Sequence, residues 1–258
     1  MATHEDIMTA RLFMNAAFPV LQVLMDESPK LRGRKFDHTI QFGARDGAEL
    51  VCCHLIFRDG RLEVAQGPAE KPDVKMTFSS VGRMNALLKG TGMYLPRISG
   101  NFIAAFDFLL NYLMGLKIMT GEPKNDLEKY LKVKCSLYMI CRAMSTYNKL
   151  GDPDFHEFCL RQPDRIYQFR VEDGGDPARV ACYLRVCRGK SKSGHGVYEK
   201  RTPFVLFRFT SIEGALKVLN KEEEFVAAAE KGYVETVGSP EYACSLNDYM
   251  SVIQAMVT

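Results

Sequence analysis

Apolar positions at helical spacing open the chain. Within residues 6–27, Leu12, Phe13, Ala16, Val20 and Leu24 recur every three or four residues, the spacing of one helix face. Pro19 lies inside that pattern and predicts a kink or two pieces. The pattern then changes to a period of two. Strands are predicted over 38–44, 49–57 and 61–66, separated by Asp46-Gly47 and Asp59-Gly60, dipeptides suited to tight hairpins. Pro72 introduces a fourth strand over 74–78, and Ser79-Ser80 offers a cap for a helix over 81–89. Gly90 and Gly92 end that helix. A short fifth strand over 94–99 and a closing helix over 102–119 follow.

After the polar linker 121–126 the same order returns. A helix is predicted over 127–150, and a loop with Pro153 and Pro163 leads to a strand over 165–171. Asp173-Gly174 opens a turn before a strand over 178–187. The Gly/Ser/Lys segment 188–196 reads as a flexible basic hairpin turn, and a third run spans 197–200. A strand over 204–209, a helix over 212–219 with Thr210 and Glu213 at capping-box spacing, a strand over 233–237 and a helix over 241–257 complete the chain. Ile40-Gln41-Phe42 answers Tyr167-Gln168-Phe169, and the run 72–78 answers 203–209. Ser99-Gly-Asn101 answers Gly238-Ser-Pro240 loosely. The offset between matches grows from 127 to 131 to about 138, as loop insertions would produce. The order implies two diverged copies of one domain, over 1–120 and 121–258.

Composition narrows the class. Hydrophobic residues at 47% and charged residues at 25% suit a globular core. A net charge of +3 is too small to argue for nucleic acid or an anionic membrane, so no nucleic-acid partner and at most transient membrane contact are expected. The first residues carry Glu5 and Asp6 where a secretory signal carries Lys or Arg, so none is expected. Asp107, Asn111 and Lys117 interrupt the apolar run 102–119, which speaks against a membrane span. The eight cysteines form no even-spaced framework, so reduced thiols and a cytoplasmic location are expected.

No grouping for chemistry emerges. The five histidines include no pair spaced four apart, and there is no C-x-x-C, so no metal is expected. Gly189-Lys190-Ser191 lacks the Gly that a phosphate loop needs at position 184, which is Leu. Cys53 and His54 are adjacent on a strand, so their side chains diverge and form no nucleophile–base pair. A non-enzymatic protein without a cofactor is the expectation.

Apolar surface remains. In 102–119 only Asp107, Asn111 and Lys117 are charged or amide residues, whereas a surface helix needs an apolar arc of only about 100°. Something is expected to cover its second side: the other copy, another subunit or a lipid-like ligand. The sister helix 241–257 gathers Tyr242, Leu246, Tyr249, Met250, Ile253, Met256 and Val257 on one face, as an ordinary core-facing helix does.

The order of elements resembles the sterol carrier protein type-two family of small lipid-binding and lipid-transfer domains. Asp73-Val-Lys-Met-Thr-Phe-Ser-Ser-Val-Gly-Arg-Met-Asn-Ala-Leu-Leu-Lys-Gly90 carries the likeness in copy one, and Ala229-Glu-Lys-Gly-Tyr-Val-Glu-Thr-Val-Gly238 in copy two. Copy one leaves little room for a small helix before its fifth strand, and copy two has Phe204 for the family's Asp and Asn220 for its Gly. The resemblance implies an α+β fold of two tandem domains, each a mostly antiparallel five-stranded sheet with helices on one face. It also implies an apolar tunnel between sheet and closing helix. The matching wall in copy one is Phe78, Met84, Leu87, Leu88, Phe102, Phe106, Leu109, Tyr112 and Leu113. A hydrophobic small molecule (lipid, fatty acyl or isoprenoid) is the expected partner, chiefly of copy one. The alternative is a scaffold in which helix 102–119 is an inter-domain or subunit interface, with a homodimer or a protein partner and no ligand.

Overall fold

The computed structural model describes every residue except Gly174, Gly175, Pro177, Ala178 and Thr258. The expected Asp173-Gly174 turn and the start of the strand expected over 178–187 therefore lie partly outside the described residues. The chain divides into two compact units, Met1–Thr120 with the last residues of the chain, and Gly121–Ala255. The fold is α+β, with a five-stranded sheet in each unit.

The first unit opens with α1, His4–Glu27. Thr3 caps it in a reciprocal capping box with Asp6. Pro19 cannot donate a backbone hydrogen bond, and the helix accommodates it with a π-helical turn at Phe13–Ala17 followed by a 3-10 turn at Phe18–Val20. The strands are β1, Thr39–Asp46, β2, Glu49–Arg58, β3, Arg61–Gln66, and β4, Val74–Phe78. Next come α2, Val81–Lys89, β5, Arg97–Gly100, and α3, Phe102–Met119. Spatial order is β3-β2-β1-β4-β5. All neighbours are antiparallel except β1 and β4, which run parallel.

Phe42 in β1 points toward the helices, with its ring 5.2 Å from Phe18 of α1 and 6.4 Å from Phe108 of α3. Its neighbour Gln41 must point to the opposite face. There the segment crossing from β3 to β4 passes over it, and the Ala69 amide donates to Gln41 Oε1 at 3.1 Å.

The second unit repeats this plan. It contains α4, Asp126–Leu150, α5, Pro153–Leu160, β6, Arg165–Val171, β7, Ala181–Cys187, β8, Lys190–His195, and β9, Val205–Phe209. After these come α6, Ile212–Leu219, α7, Phe225–Glu230, β10, Val234–Gly238, and α8, Pro240–Val257. Spatial order is β8-β7-β6-β9-β10, with β6 and β9 parallel and the other neighbours antiparallel. Helix α4 packs on β7, β8 and α6.

Three local readings need correction. The hairpin turn expected over 188–196 is confined to Arg188-Gly189. Arg188 and Gly189 both take positive φ, at 47° and 83°, as a tight hairpin requires, and β8 starts at Lys190, not at 197. A polar network fixes that strand. Asn148 Nδ2 donates to the Gly189 carbonyl and to Ser191 Oγ, each at 2.9 Å, and its Oδ1 lies 3.0 Å from His156 Nδ1. Second, the loop expected after 150 contains α5, started by Pro153 in its first turn and capped by Asp152. Third, Ser211 caps α6 by accepting from the Gly214 amide, while the Thr210 hydroxyl donates to the Gly232 carbonyl.

Candidate hydrophobic site

The space between the first sheet and α3 is filled with rings. Tyr112 lies 4.6 Å from Phe36 and 5.0 Å from Phe57 between centroids, and Phe108 lies 6.2 Å from Phe57. Phe78 joins through Phe42 at 5.3 Å. The inward face of α3 is Ala104, Ala105, Phe108, Tyr112 and Leu113, all buried. Two alanines at the start of the helix lie where it packs on β4 and β5.

The outward face is different. Phe102, Phe106, Leu110 and Met114 recur every four residues and are exposed, with Ile103 beside them at 85% exposure. Among the described residues nothing covers this stripe. Its N-terminal part packs beside β5, and the loop entering β5 exposes Met93, Tyr94 and Leu95. Asp107 accepts from Arg34 at 2.6 Å and from Asn111 at 2.5 Å, which ties the middle of the helix to the segment before β1.

The nine positions expected to wall a tunnel differ in exposure. Phe78, Met84, Tyr112 and Leu113 are buried, Leu87, Leu88 and Leu109 are half-buried, and Phe102 and Phe106 are exposed. The elements carrying them touch, since α2 and α3 both pack on β4. Sequence reasoning left out Phe36, Phe42, Phe57 and Phe108. Phe36 carried no signal, lying between predicted elements, whereas Phe42, Phe57 and Phe108 sit in predicted strands and helix as core positions.

One polar group sits in this apolar interior. The Tyr112 hydroxyl is buried and has no hydrogen-bond partner among the described residues. Burial, with the Asp107 charge adding to it, pushes its ionisation up to about 12, so it is neutral and a potential donor. Beside the cluster a polar cleft of about 390 Å³ opens, lined by Asp37, His38, Asp59, Asp73 and, from the aromatic side, Phe57. The second unit has its own charged cleft of about 450 Å³, where the Arg179 guanidinium lies 4.4 Å from the Tyr130 ring and Lys129 pairs with Glu213 at 3.1 Å.

Among the described residues no three His, Cys, Asp or Glu side chains cluster so as to hold a metal ion. His54 Nδ1 lies 3.0 Å from the Gly67 carbonyl, and burial raises the Cys53 thiol far above its ordinary range. Cys141 and Cys182 approach to 3.2 Å between sulfurs in the second core, where burial likewise raises the Cys141 thiol.

No family model and no curated protein matches the chain. Among solved structures, palmitated SCP2L2 from Aedes aegypti is 17% identical, with a TM-score of 0.31, over 43% of this chain and 90% of that one. Sterol carrier protein 2 like 2 from the same organism is also 17% identical, with a TM-score of 0.30, over 45% of this chain and 97% of that one. The inverting sec-alkylsulfatase Pisa1 from Pseudomonas sp. is 12% identical, with a TM-score of 0.28, over 56% of this chain and 27% of that one. Values this low assign the chain to no family.

Proposed function

We propose that residues 1–120 bind and carry a hydrophobic small molecule of the lipid, fatty acyl or isoprenoid type without altering it chemically. Residues 121–258 are then a diverged second copy that serves as a structural partner. The observation that carries this reading is the spread of exposure among the apolar side chains of α2, β4 and α3: Phe102 and Phe106 are exposed, Leu87, Leu88 and Leu109 half-buried, and Phe78 and Met84 buried. A ligand that replaces water on such side chains gains apolar burial at about 25 cal/mol per Å². Because rings fill the inner space, entry requires α3 to move outward, and its π-helical and 3-10 turns make it less regularly bonded than an ideal helix. Eight free thiols, six of them buried, fit a reducing, cytoplasmic setting.

Native mass spectrometry of the gently purified chain tests the reading, together with binding of a fluorescent fatty acid. A bound lipid or saturable fatty-acid binding is expected. A ligand-free chain that binds no probe overturns it. The ring-filled interior favours one second reading, a scaffold whose outer stripe on α3 meets another subunit. A dimer in sedimentation, without probe binding, is its signature.

A further inference from the structure

We propose that the outer stripe of α3, with the loop over 91–96, docks on an anionic lipid bilayer. The inference deepens the carrier reading by naming the surface where cargo is collected or delivered. Two properties of the same region carry it.

The first is shape and exposure. Phe102, Ile103, Phe106, Leu110 and Met114 on the helix and Met93, Tyr94 and Leu95 on the loop present apolar side chains to solvent on either side of β5. Soluble monomers rarely expose so large an apolar group on one edge without a use for it. The helix is long and apolar enough to cross a membrane, yet its inner face is committed to the sheet through Ala104, Ala105, Phe108 and Tyr112. The Asp107–Arg34 pair ties it further. That combination suits a helix lying in the headgroup boundary with one face immersed.

The second is charge. Residues 81–119 contain the cations Arg83, Lys89, Arg97 and Lys117 against the single carboxylate of Asp107, already paired with Arg34. Arg83 stands over the Tyr94 ring at 5.5 Å, and Lys30 donates to the Leu110 carbonyl at 3.2 Å. Both bring positive charge to the rim of the apolar stripe. A second copy of this chain would set the same cations against each other, whereas phosphatidylserine-type headgroups complement them. The whole-chain charge of +3 conceals this, because carboxylates elsewhere balance the remaining cations.

Flotation of the full chain with vesicles of phosphatidylcholine alone, and of phosphatidylcholine with phosphatidylserine, tests the proposal. Binding to the anionic vesicles at low salt, weakened by added salt, is expected, with little binding to the neutral ones. The double variant Leu95→Asp/Ile103→Asp changes two exposed side chains that are not tunnel-wall positions. It should keep its circular dichroism and fatty-acid binding while partitioning at least about tenfold less, the loss expected when two aliphatic side chains leave the lipid. Arg97→Glu/Lys117→Glu should abolish the preference for anionic vesicles. No flotation of the native chain, or equal flotation of the Leu95/Ile103 variant, overturns the docking surface. So does a dimer that this variant dissociates. A chain that binds fatty acid but does not float loses only this inference; one that floats but binds no fatty acid loses only the carrier reading.

Discussion

Gln41 and Gln168 hold the same place in the two sheets. Each is the second residue of the triplet that pairs in parallel with the fourth strand of its unit, and each accepts a backbone amide from the segment that crosses beneath the sheet. Gln168 goes further. It accepts from Tyr198 at 2.8 Å and donates to the carbonyls of Phe169, Cys182 and Gly196 at 2.9–3.1 Å, buried from water. Removing such a side chain strands buried groups that water cannot reach. Gln168→Leu should therefore cost about 2–3 kcal/mol, and Gln41→Leu, with one such bond among the described residues, about 1–2 kcal/mol. Urea denaturation of both variants checks the order. Equal costs would mean that the extra donations contribute nothing.

Gly100 and Gly238 make a second matched pair. Their φ values are +94° and +111°, and a Cβ on either would lie 2.1 Å from a carbonyl oxygen, that of Asp73 or of Phe204. Alanine at either position meets both strain and a backbone clash, so each variant should lose more than about 2 kcal/mol. Gly47 is the control. Its φ is +62° with nothing within 4 Å, so Gly47→Ala should cost about 1–2 kcal/mol from conformation alone. Thermal melts of the three variants decide whether close approach adds to strain.

These matched residues also mark how far the sequence reached. The Gln41 and Gln168 triplets were visible as a match, and so was the order of elements, because periodicity and turn dipeptides are local signals. Gly238 was paired with the wrong partner: the registers align it with Gly100, so the loose match of 99–101 with 238–240 was off by one residue. The hairpin after 187 was legible, but not its tightness at Arg188-Gly189, because an arginine at positive φ has no dipeptide signature and Asn148 holds Gly189 and Ser191 from α4. In the candidate site, the apolar excess of 102–119 was legible from composition. Which side of that helix meets the sheet was not, since Phe106 and Phe108 are equally apolar and only packing against Phe42 and Phe57 buries the second.

Acid should weaken the second unit through Asp164. Hydrogen bonds from Arg185, at 2.8 and 2.6 Å, and from Arg201 hold its carboxyl at about 2, below the ordinary 3.8. The unfolded chain takes up a proton at higher pH than the folded one, so protonation favours unfolding. The contribution is complete above the ordinary value and drains away as pH falls from about 4 toward 2. Asp164→Asn should flatten that part of the stability profile. Unfolding midpoints of both proteins across this range test it, and an unchanged slope would sink the assignment.

Tyr112 gives the sharpest test of what the first interior holds. Its ring is packed by Phe36, Phe57 and Phe108, so Tyr112→Phe preserves the packing and deletes only the hydroxyl. That hydroxyl is buried without a partner among the described residues, and a buried unpaired hydroxyl costs about 1–3 kcal/mol. In the ligand-free chain the variant should therefore match or exceed the native stability. With a fatty acid bound the sign should reverse if the carboxyl end reaches this donor, because the variant then loses a hydrogen bond of about 1 kcal/mol, read as a several-fold weaker dissociation constant. Unfolding midpoints with and without fatty acid separate the two states. A variant destabilised in both would place a buried water on the hydroxyl, and one with unchanged affinity would put the polar end of the ligand elsewhere.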